Sequence, residues 1–246
     1  MIAHRGESIH APEQTLAAFR LAVELGADMI EADVRRTRDG RLVMLHDARV
    51  DRTTDGHGLV SELSFDQVRS LDAGAWFSPA FTGERVPTLD DLFDLADGAS
   101  IALCLEVKAD SPADQAALAF AIAGEIRARG RLGLDVLASF DHGALAEAVR
   151  AVPGLRCAPD RLPERGPSDG RALIEQAALI GAGIVQHHHA DLTAEAVAEA
   201  QEAGVDVWAW PANTPPEIER VLAFGVAGVM GDDVAAIVAC VPRGGA

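Results

Sequence analysis

The sequence predicts a closed parallel α/β barrel of eight strands, with a small insertion after the second strand. Three observations predict it. First, a glycine, a short apolar run and a helical pattern follow one another repeatedly: Gly26 before Met29 and Ile30, Gly183 before Ile184 and Val185, Gly204 before Val205 to Trp208, and Gly225 before Gly228 to Met230. Second, glycines 183, 204 and 225 are 21 residues apart. Glycine takes the left-handed conformation that ends a helix, and a buried parallel strand reads as a continuous apolar run, so the repetition is a train of βα units. Third, the chain has 246 residues, close to the ~250 that one such barrel occupies.

Strands are expected near 1–3, 29–34, 42–45, 101–107, 136–139, 155–158, 183–186, 205–210 and 228–230, one too many for eight. Asp39-Gly40 resolves the surplus, because this dipeptide is a hairpin turn signal. Asp33 lies six residues before Asp39 and His46 six after Gly40, so a hairpin returns His46 to the level of Asp33. The segment 42–45 is then an excursion, and eight strands close the barrel. Among the helices, Leu16, Phe19 and Val23 share one face, as do Leu118, Ile122 and Ile126. Thr193 before Glu195 and Ala196 starts a helix, and Pro216 before Glu217 and Ile218 suits another. Residues 48–88, with Gly and Pro scattered through them, form the insertion, and a helix follows from Leu89 to Ala96. No linker or low-complexity stretch interrupts the chain, so residues 1–246 are expected to form one domain.

Acidic residues number 38 and basic residues 21, for a formal charge of −17. That balance argues against nucleic acid and against stable association with an anionic membrane, both of which need a basic face. No apolar run approaches the ~18 residues of a spanning helix. Cys104, Cys157 and Cys240 are an odd number of cysteines, which fits a reducing compartment better than a disulfide framework. The opening Met-Ile-Ala-His-Arg-Gly has neither a charged n-region nor an apolar h-region, so a cytoplasmic location is expected.

In a parallel barrel the working residues occupy the C-terminal ends of the strands. Those ends carry His4 and Arg5, then Glu31 and Asp33, then Glu106 and Lys108. Side chains alternate along a strand, so Glu31 shares a face with Asp33, and Glu106 with Lys108. If both faces point into the mouth, three carboxylates converge there with one lysine, and they repel unless a cation joins them. A hard divalent ion, Mg²⁺ or Ca²⁺, answers that need; the competing arrangement is a salt-bridged network of Glu106, Lys108 and nearby arginines. His4 and His46 are candidate proton carriers at neutral pH. Arg5 offers a planar fork suited to phosphate oxygens. A metal, Arg, Lys and two His together point to phosphoryl chemistry.

The ordered motifs resemble a known family. They are His4-Arg5-Gly6, Pro12-Glu13-Gln14-Thr15 with Ala18-Phe19, Gly26-Ala27 to Ile30-Glu31-Ala32-Asp33-Val34, Thr37 with Asp39-Gly40, His46-Asp47, and Asp51-Arg52-Thr53-Thr54 with Gly58. The insertion adds Leu71-Asp72-Ala73-Gly74, Trp76-Phe77, Gly83 and Pro87-Thr88-Leu89, and further on come Leu105-Glu106-Val107-Lys108, Ser139-Phe140 and Trp210 to Asn213. Nearly end to end, this order resembles the glycerophosphodiester phosphodiesterases. The resemblance implies a TIM-type barrel that hydrolyses a small-molecule glycerophosphodiester to sn-glycerol 3-phosphate and an alcohol. It implies that Glu31, Asp33 and Glu106 hold the divalent cation and that His4 and His46 act as general base and acid. Arg5 and Lys108 match positions facing the phosphate, and Trp210 matches an aromatic lining the glycerol pocket. The nucleophile it implies is the substrate's own neighbouring hydroxyl, through a cyclic phosphate, so no Ser or Cys is required. Three departures, Gln14 for Asn, Pro211-Ala212 within Trp-Thr-Val-Asn, and Gly231 for Thr before Asp232, bear on substrate preference more than on the reaction.

His187, His188 and His189 cannot all face one ion, since neighbours on a strand point to opposite sides; Gln186 and His188 are expected to face the mouth. Trp208 is expected in the barrel core and Trp210 in the pocket. Asp51 to Thr54 reads as a turn with side-chain hydrogen bonds, Glu13 either orients Arg5 or belongs to the helix entrance, and Asp90, Asp91, Asp94 and Asp97 form a solvated helix face. Two other functions compete. One is a lipid phosphodiesterase of the phospholipase C or D type, which no basic amphipathic stretch supports. The other is a non-catalytic barrel binding a phosphorylated ligand, against which the intact histidines and carboxylates weigh.

Overall fold

The computed structural model describes residues 1–161 and 168–241. The strands are β1 (Ile2–His4), β2 (Met29–Arg36), β3 (Leu42–Met44), β4 (Ala102–Val107), β5 (Val136–Ser139), β6 (Arg156–Arg161), β7 (Ile184–His188), β8 (Asp206–Trp210) and β9 (Gly228–Gly231). The helices are α1 (Leu16–Leu25), α2 (Phe65–Ser70), α3 (Leu89–Ala99), α4 (Pro112–Ala128), α5 (His142–Ala151), α6 (Gly170–Ile180), α7 (Ala194–Glu202), α8 (Pro215–Ala223) and α9 (Val234–Cys240). Strand β1 pairs in parallel with both β2 and β9, and that double pairing closes an eight-stranded wall in the order β1-β2-β4-β5-β6-β7-β8-β9. Strand β3 stays outside it. It pairs antiparallel with the far end of β2, Val34 opposite Met44 and Arg36 opposite Leu42. The Leu45 amide donates to the Asp33 carbonyl at 3.0 Å, so His46 returns beside Asp33 as the hairpin argument requires.

Local chemistry starts and stops the helices where the pattern indicated. Thr15, Thr88, Thr193 and Asp233 cap N-termini with side-chain oxygens, and Thr88 and Thr214 form capping boxes with Asp91 and Glu217. One expectation shifts. The left-handed residue ending α6 is Gly181 (φ 70°), two residues before Gly183. Gly183 instead begins the run into β7, so the 21-residue spacing marks strand entrances as well as helix ends. The acidic run on α3 is the solvated face expected, with Asp90, Asp94 and Asp97 exposed, and it also makes ion pairs. Asp90 and Asp94 each accept from Arg129 at 2.8 Å, Asp97 pairs with Arg131, and Asp91 caps the helix.

Apolar side chains fill three regions around the wall. Inside the barrel, Ile2, Met29, Cys104, Val136, Ala138, Ile184, Trp208 and Met230 form the floor beneath the mouth. Between wall and helices, Phe19, Ile30, Leu103, Leu105, Ile122 and Ile126 are fully buried on one side, and Val185, Val207, Val197 and Ile218 on the other. The insertion owns a smaller core of Val50, Val60, Val68, Ala73 and Val86, joined to Val43 and Leu45 of the hairpin. Gly228 is required by the floor, because a Cβ there would meet the Trp208 ring at 2.6 Å. Among the described residues no helix is long and apolar enough to cross a membrane.

Candidate active site

Strand register brings the acids together. Asp33 on β2 lies opposite Glu106 on β4, and Glu31 lies opposite His4 on β1. All alternate inward, and one carboxylate oxygen from each of Glu31, Asp33 and Glu106 falls within 4.8 Å of the others. The Lys108 ammonium, just past β4, bridges Glu106 Oε1 at 2.5 Å and Asp33 Oδ1 at 3.3 Å. Arg5 Nε approaches Asp33 Oδ2 at 3.3 Å, and Gln14 donates to that oxygen at 2.8 Å. The salt-bridged network is therefore present, but it leaves the cluster undercompensated, since two fixed cations face three acids. Burial, with Asp33 and Glu106 alongside, pushes the Glu31 carboxyl well above its ordinary value. Burial also raises Glu106, against the pull of Lys108. For Asp33 burial acts the same way, yet Lys108 and Arg5 prevail and hold it below its ordinary value.

The backbone at this corner is strained. Arg5 and Gln14 both have φ of 59°, left-handed values that non-glycine residues adopt at a cost of about 1–3 kcal/mol. The Arg5 turn aims its amide at Glu31 Oε2, 2.9 Å away. Gly6 follows, and a Cβ there would lie 2.7 Å from the Ala18 backbone. The Gln14 amide donates to the Arg5 carbonyl at 3.1 Å, which ties the two left-handed residues together.

Each imidazole is held at Nδ1 by a carboxylate. His4 Nδ1 lies 2.5 Å from Asp232 Oδ1, and His46 Nδ1 2.7 Å from Asp47 Oδ1. Asp232 is itself fixed by Asn213, which donates from Nδ2 at 2.6 Å and accepts the Asp232 amide at 2.8 Å. The His4 Nε2 atom points toward Glu31, 4.0 Å from Oε2. Burial, opposed by Asp33, holds the His46 imidazole below its ordinary value.

Trp210 stands at the end of β8, edge-on to Phe140 and to His188 with ring centroids 5.7 Å apart in both cases. Its indole Nε1 is buried without a hydrogen-bond partner. Trp208, two residues earlier, is in the barrel floor as expected. The three consecutive histidines diverge. His188 faces the mouth beside Trp210. His187 is buried on the outer side of the wall, 2.9 Å from Gln176 Oε1 and 3.3 Å from Ser168 Oγ, and His189 meets Arg220 at 2.8 Å. Gln186 points inward but lies below the mouth, where it donates to Asp160 at 2.8 Å. A cavity of about 630 Å³ opens beside Lys108, with Arg35, Arg36 and Arg38 on its wall.

Several side chains at the site had no sequence-level role. In the sequence Asp47 stands only as the motif neighbour of His46, Asp232 only as the residue after the Gly231 departure, and Arg52 only within a turn motif. The expected strand at 155–158 stops short of Asp160, which β6 carries past Pro159. Glu13 orients Arg5, accepting from Nη1 at 3.0 Å.

The model of the glycerophosphoryl diester phosphodiesterase family matches residues 4–236. The chain belongs to this family. A glycerophosphodiester phosphodiesterase of Caldanaerobacter subterraneus subsp. tengcongensis is 34% identical, over 100% of this chain and 98% of the relative. One of Bacillus subtilis is 28% identical, over 93% of this chain and 81% of the relative. Among solved structures, an Oleispira antarctica phosphodiesterase in complex with the product sn-glycerol-3-phosphate superposes with a TM-score of 0.88 at 26% identity, covering 97% of this chain and 95% of that one. A glycerophosphodiester phosphodiesterase of Agrobacterium tumefaciens gives a TM-score of 0.82 at 26% identity, covering 97% and 98%. The barrel is a TIM barrel, and this glycerophosphoryl diester phosphodiesterase family member is a hydrolase of phosphodiesters.

Proposed function

We propose that the chain hydrolyses glycerophosphodiesters to sn-glycerol 3-phosphate and an alcohol, with a divalent cation, Mg²⁺ or Ca²⁺, held by Glu31, Asp33 and Glu106. One observation carries this reading: three buried carboxylates converge between two imidazoles whose Nδ1 atoms are each already engaged by an acid. The donor set fits such an ion. It is all oxygen, it keeps a negative charge after Lys108 and Arg5 are counted, and Glu31 Oε1 is buried with no hydrogen-bond partner. When bound, the cation supplies positive charge to a phosphate oxygen as negative charge develops there.

The chain's own residues do the rest. Arg5 and Lys108 face the remaining phosphate charge. Trp210, with Phe140 and His188, walls the space where the glycerol lies, and the free indole N–H offers it a donor. Engagement of Nδ1 leaves Nε2 of both histidines to work, one as base and the other as acid. In the first step the neighbouring glycerol hydroxyl gives its proton to one Nε2 while its oxygen bonds to phosphorus. The bond from phosphorus to the departing alcohol breaks, and the other imidazole protonates that oxygen. Water then opens the cyclic phosphate with the two histidines exchanging roles, which restores both protonation states.

The test is release of glycerol 3-phosphate from glycerophosphocholine before and after exhaustive chelation. Loss on chelation and recovery with added Mg²⁺ or Ca²⁺ is the expected result. Undiminished turnover in the chelated protein would remove the cation from the account.

A further inference from the structure

Arg52 lies in the insertion, in a stretch whose sequence reads as a turn, and the turn is there. The Thr54 hydroxyl donates to the Val50 carbonyl at 2.7 Å, Asp51 accepts the Gly58 amide at 3.0 Å, and Val50 is buried in the insertion's core. This anchored turn presents the Arg52 guanidinium to two carboxylates at once. Nε and Nη2 meet Asp47 Oδ2 at 2.6 Å and Oδ1 at 3.2 Å. Nη1 and Nη2 meet Glu13 Oε2 at 2.7 Å and Oε1 at 2.9 Å. Both carboxylates are shared with the site. Asp47 Oδ1 is also the oxygen on His46 Nδ1, and Glu13 Oε1 is also the oxygen on Arg5 Nη1.

We propose that Arg52 is a positioning residue of this active site, a single guanidinium that ties His46, through Asp47, to Arg5, through Glu13, and so sets the spacing between the acid–base imidazole and the phosphate-facing cation. The inference rests on the proposed hydrolysis for its consequence in turnover, though not for its geometry. It also gives the insertion a purpose, because the insertion carries a side chain that joins the loop after β1 to the loop after β3.

An exposed ion pair alone would carry little weight. This one differs in being forked on both edges of the guanidinium plane, an arrangement that only arginine provides. Its hydrogen bonds, together with that of His46, hold the Asp47 carboxyl well below the usual carboxylate range. Burial works against ionisation of Glu13, yet Arg52 and Arg5 hold that carboxyl below its ordinary value as well. Without Arg52 the two carboxylates are left with like charge and no common partner, and Asp47 loses the contact that keeps it on Nδ1.

The test compares wild type, R52A, R52K, D47A and the double variant D47A/R52A. R52A is expected to lower kcat about 10–100-fold, the range seen when a group that orients a working ligand is removed. R52K is expected to recover little of it, since a point charge cannot span four oxygens. Guanidinium ion at millimolar concentration is expected to restore R52A in part, with ammonium at equal ionic strength without effect. D47A/R52A is expected to be no slower than D47A, because the two act as one unit. An R52A turnover within about twofold of wild type, or losses that multiply independently in the double variant, would overturn the proposal. Nitrogen-15 NMR of the imidazoles supplies a readout independent of activity. His46 is expected as a single Nδ1–H tautomer in wild type and as a mixture in R52A and R52K, so R52K carries the test should R52A not fold. An unchanged tautomer overturns the clamp even in a protein that turns over, whereas a wild type inactive on diesters but showing the tautomer change overturns only the proposed hydrolysis.

Discussion

Asp232 Oδ1 lies 2.5 Å from Nδ1 of His4, although 228 positions of chain separate the two residues. The barrel makes the contact, because β1 and β9 are the first and last strands of a closed wall and therefore neighbours. His46 obtains the same support locally, from the next residue in the chain. The site thus holds two imidazole–carboxylate pairs, one built by closure of the fold and one by a hairpin.

The His4 pair predicts a kinetic effect. D232N keeps the shape but removes the charge that orients His4. We expect kcat to fall by roughly 10²–10⁴ with KM changed little, the range associated with a misplaced acid–base group. Steady-state kinetics on a glycerophosphodiester checks it, and near-normal kcat would separate Asp232 from the chemistry.

Trp210 predicts the opposite split. Its ring is proposed to wall the glycerol, so W210A should raise KM about tenfold or more, equivalent to losing roughly 1.4 kcal/mol or more of contact, with a smaller change in kcat. Initial rates over a range of substrate concentrations decide this; a pure kcat effect would place Trp210 elsewhere in the mechanism.

Much of this architecture was legible in the sequence for physical reasons. Glycine-apolar-helix repetition reports βα units because a buried parallel strand has no polar face to display. Asp39-Gly40 disposed of the surplus strand because a tight turn has few residue choices. The triad of acids was accessible because alternation along β2 and β4 is a local rule. What stayed hidden depends on contacts between distant segments. Nothing near Asp232 announces His4, and nothing within Asp51 to Thr54 distinguishes an arginine that closes a turn from one that reaches Glu13. Pro159 masked the last part of β6, since proline lacks a ladder donor. The strand nonetheless continues by pairing Asp160 and Arg161 with Gln186 and His187 of β7. That continuation places a fourth acid, Asp160, in the barrel interior, where burial and Glu106 push its carboxyl well up. The two departures near the mouth touch each other. A Cβ at position 231 would lie 2.3 Å from the Ala212 carbonyl oxygen, and Ala212 still donates to Met230 at 2.9 Å despite the preceding proline.

His187 predicts a pH dependence of stability. It is fully buried, and burial, with Arg161 and His142 nearby, pulls its imidazole down to about 3. The unfolded chain takes up this proton near pH ~6.5 and the folded chain does not, so stability is complete above that value and is lost as pH falls toward 3. Between pH 7 and pH 5 this one group accounts for about 2 kcal/mol. Urea unfolding at both values is expected to show a drop that shrinks by about that amount in H187Q; an equal drop in both proteins would assign the acid sensitivity to other groups.

The most direct test of the central claim is calorimetric titration of Mg²⁺ and of Ca²⁺ into chelator-treated protein, in wild type and in E31Q/D33N. Wild type is expected to bind one ion per chain and the double variant none, with its fold kept by circular dichroism. Equal binding by both proteins would place the ion away from Glu31, Asp33 and Glu106 and contradict the account.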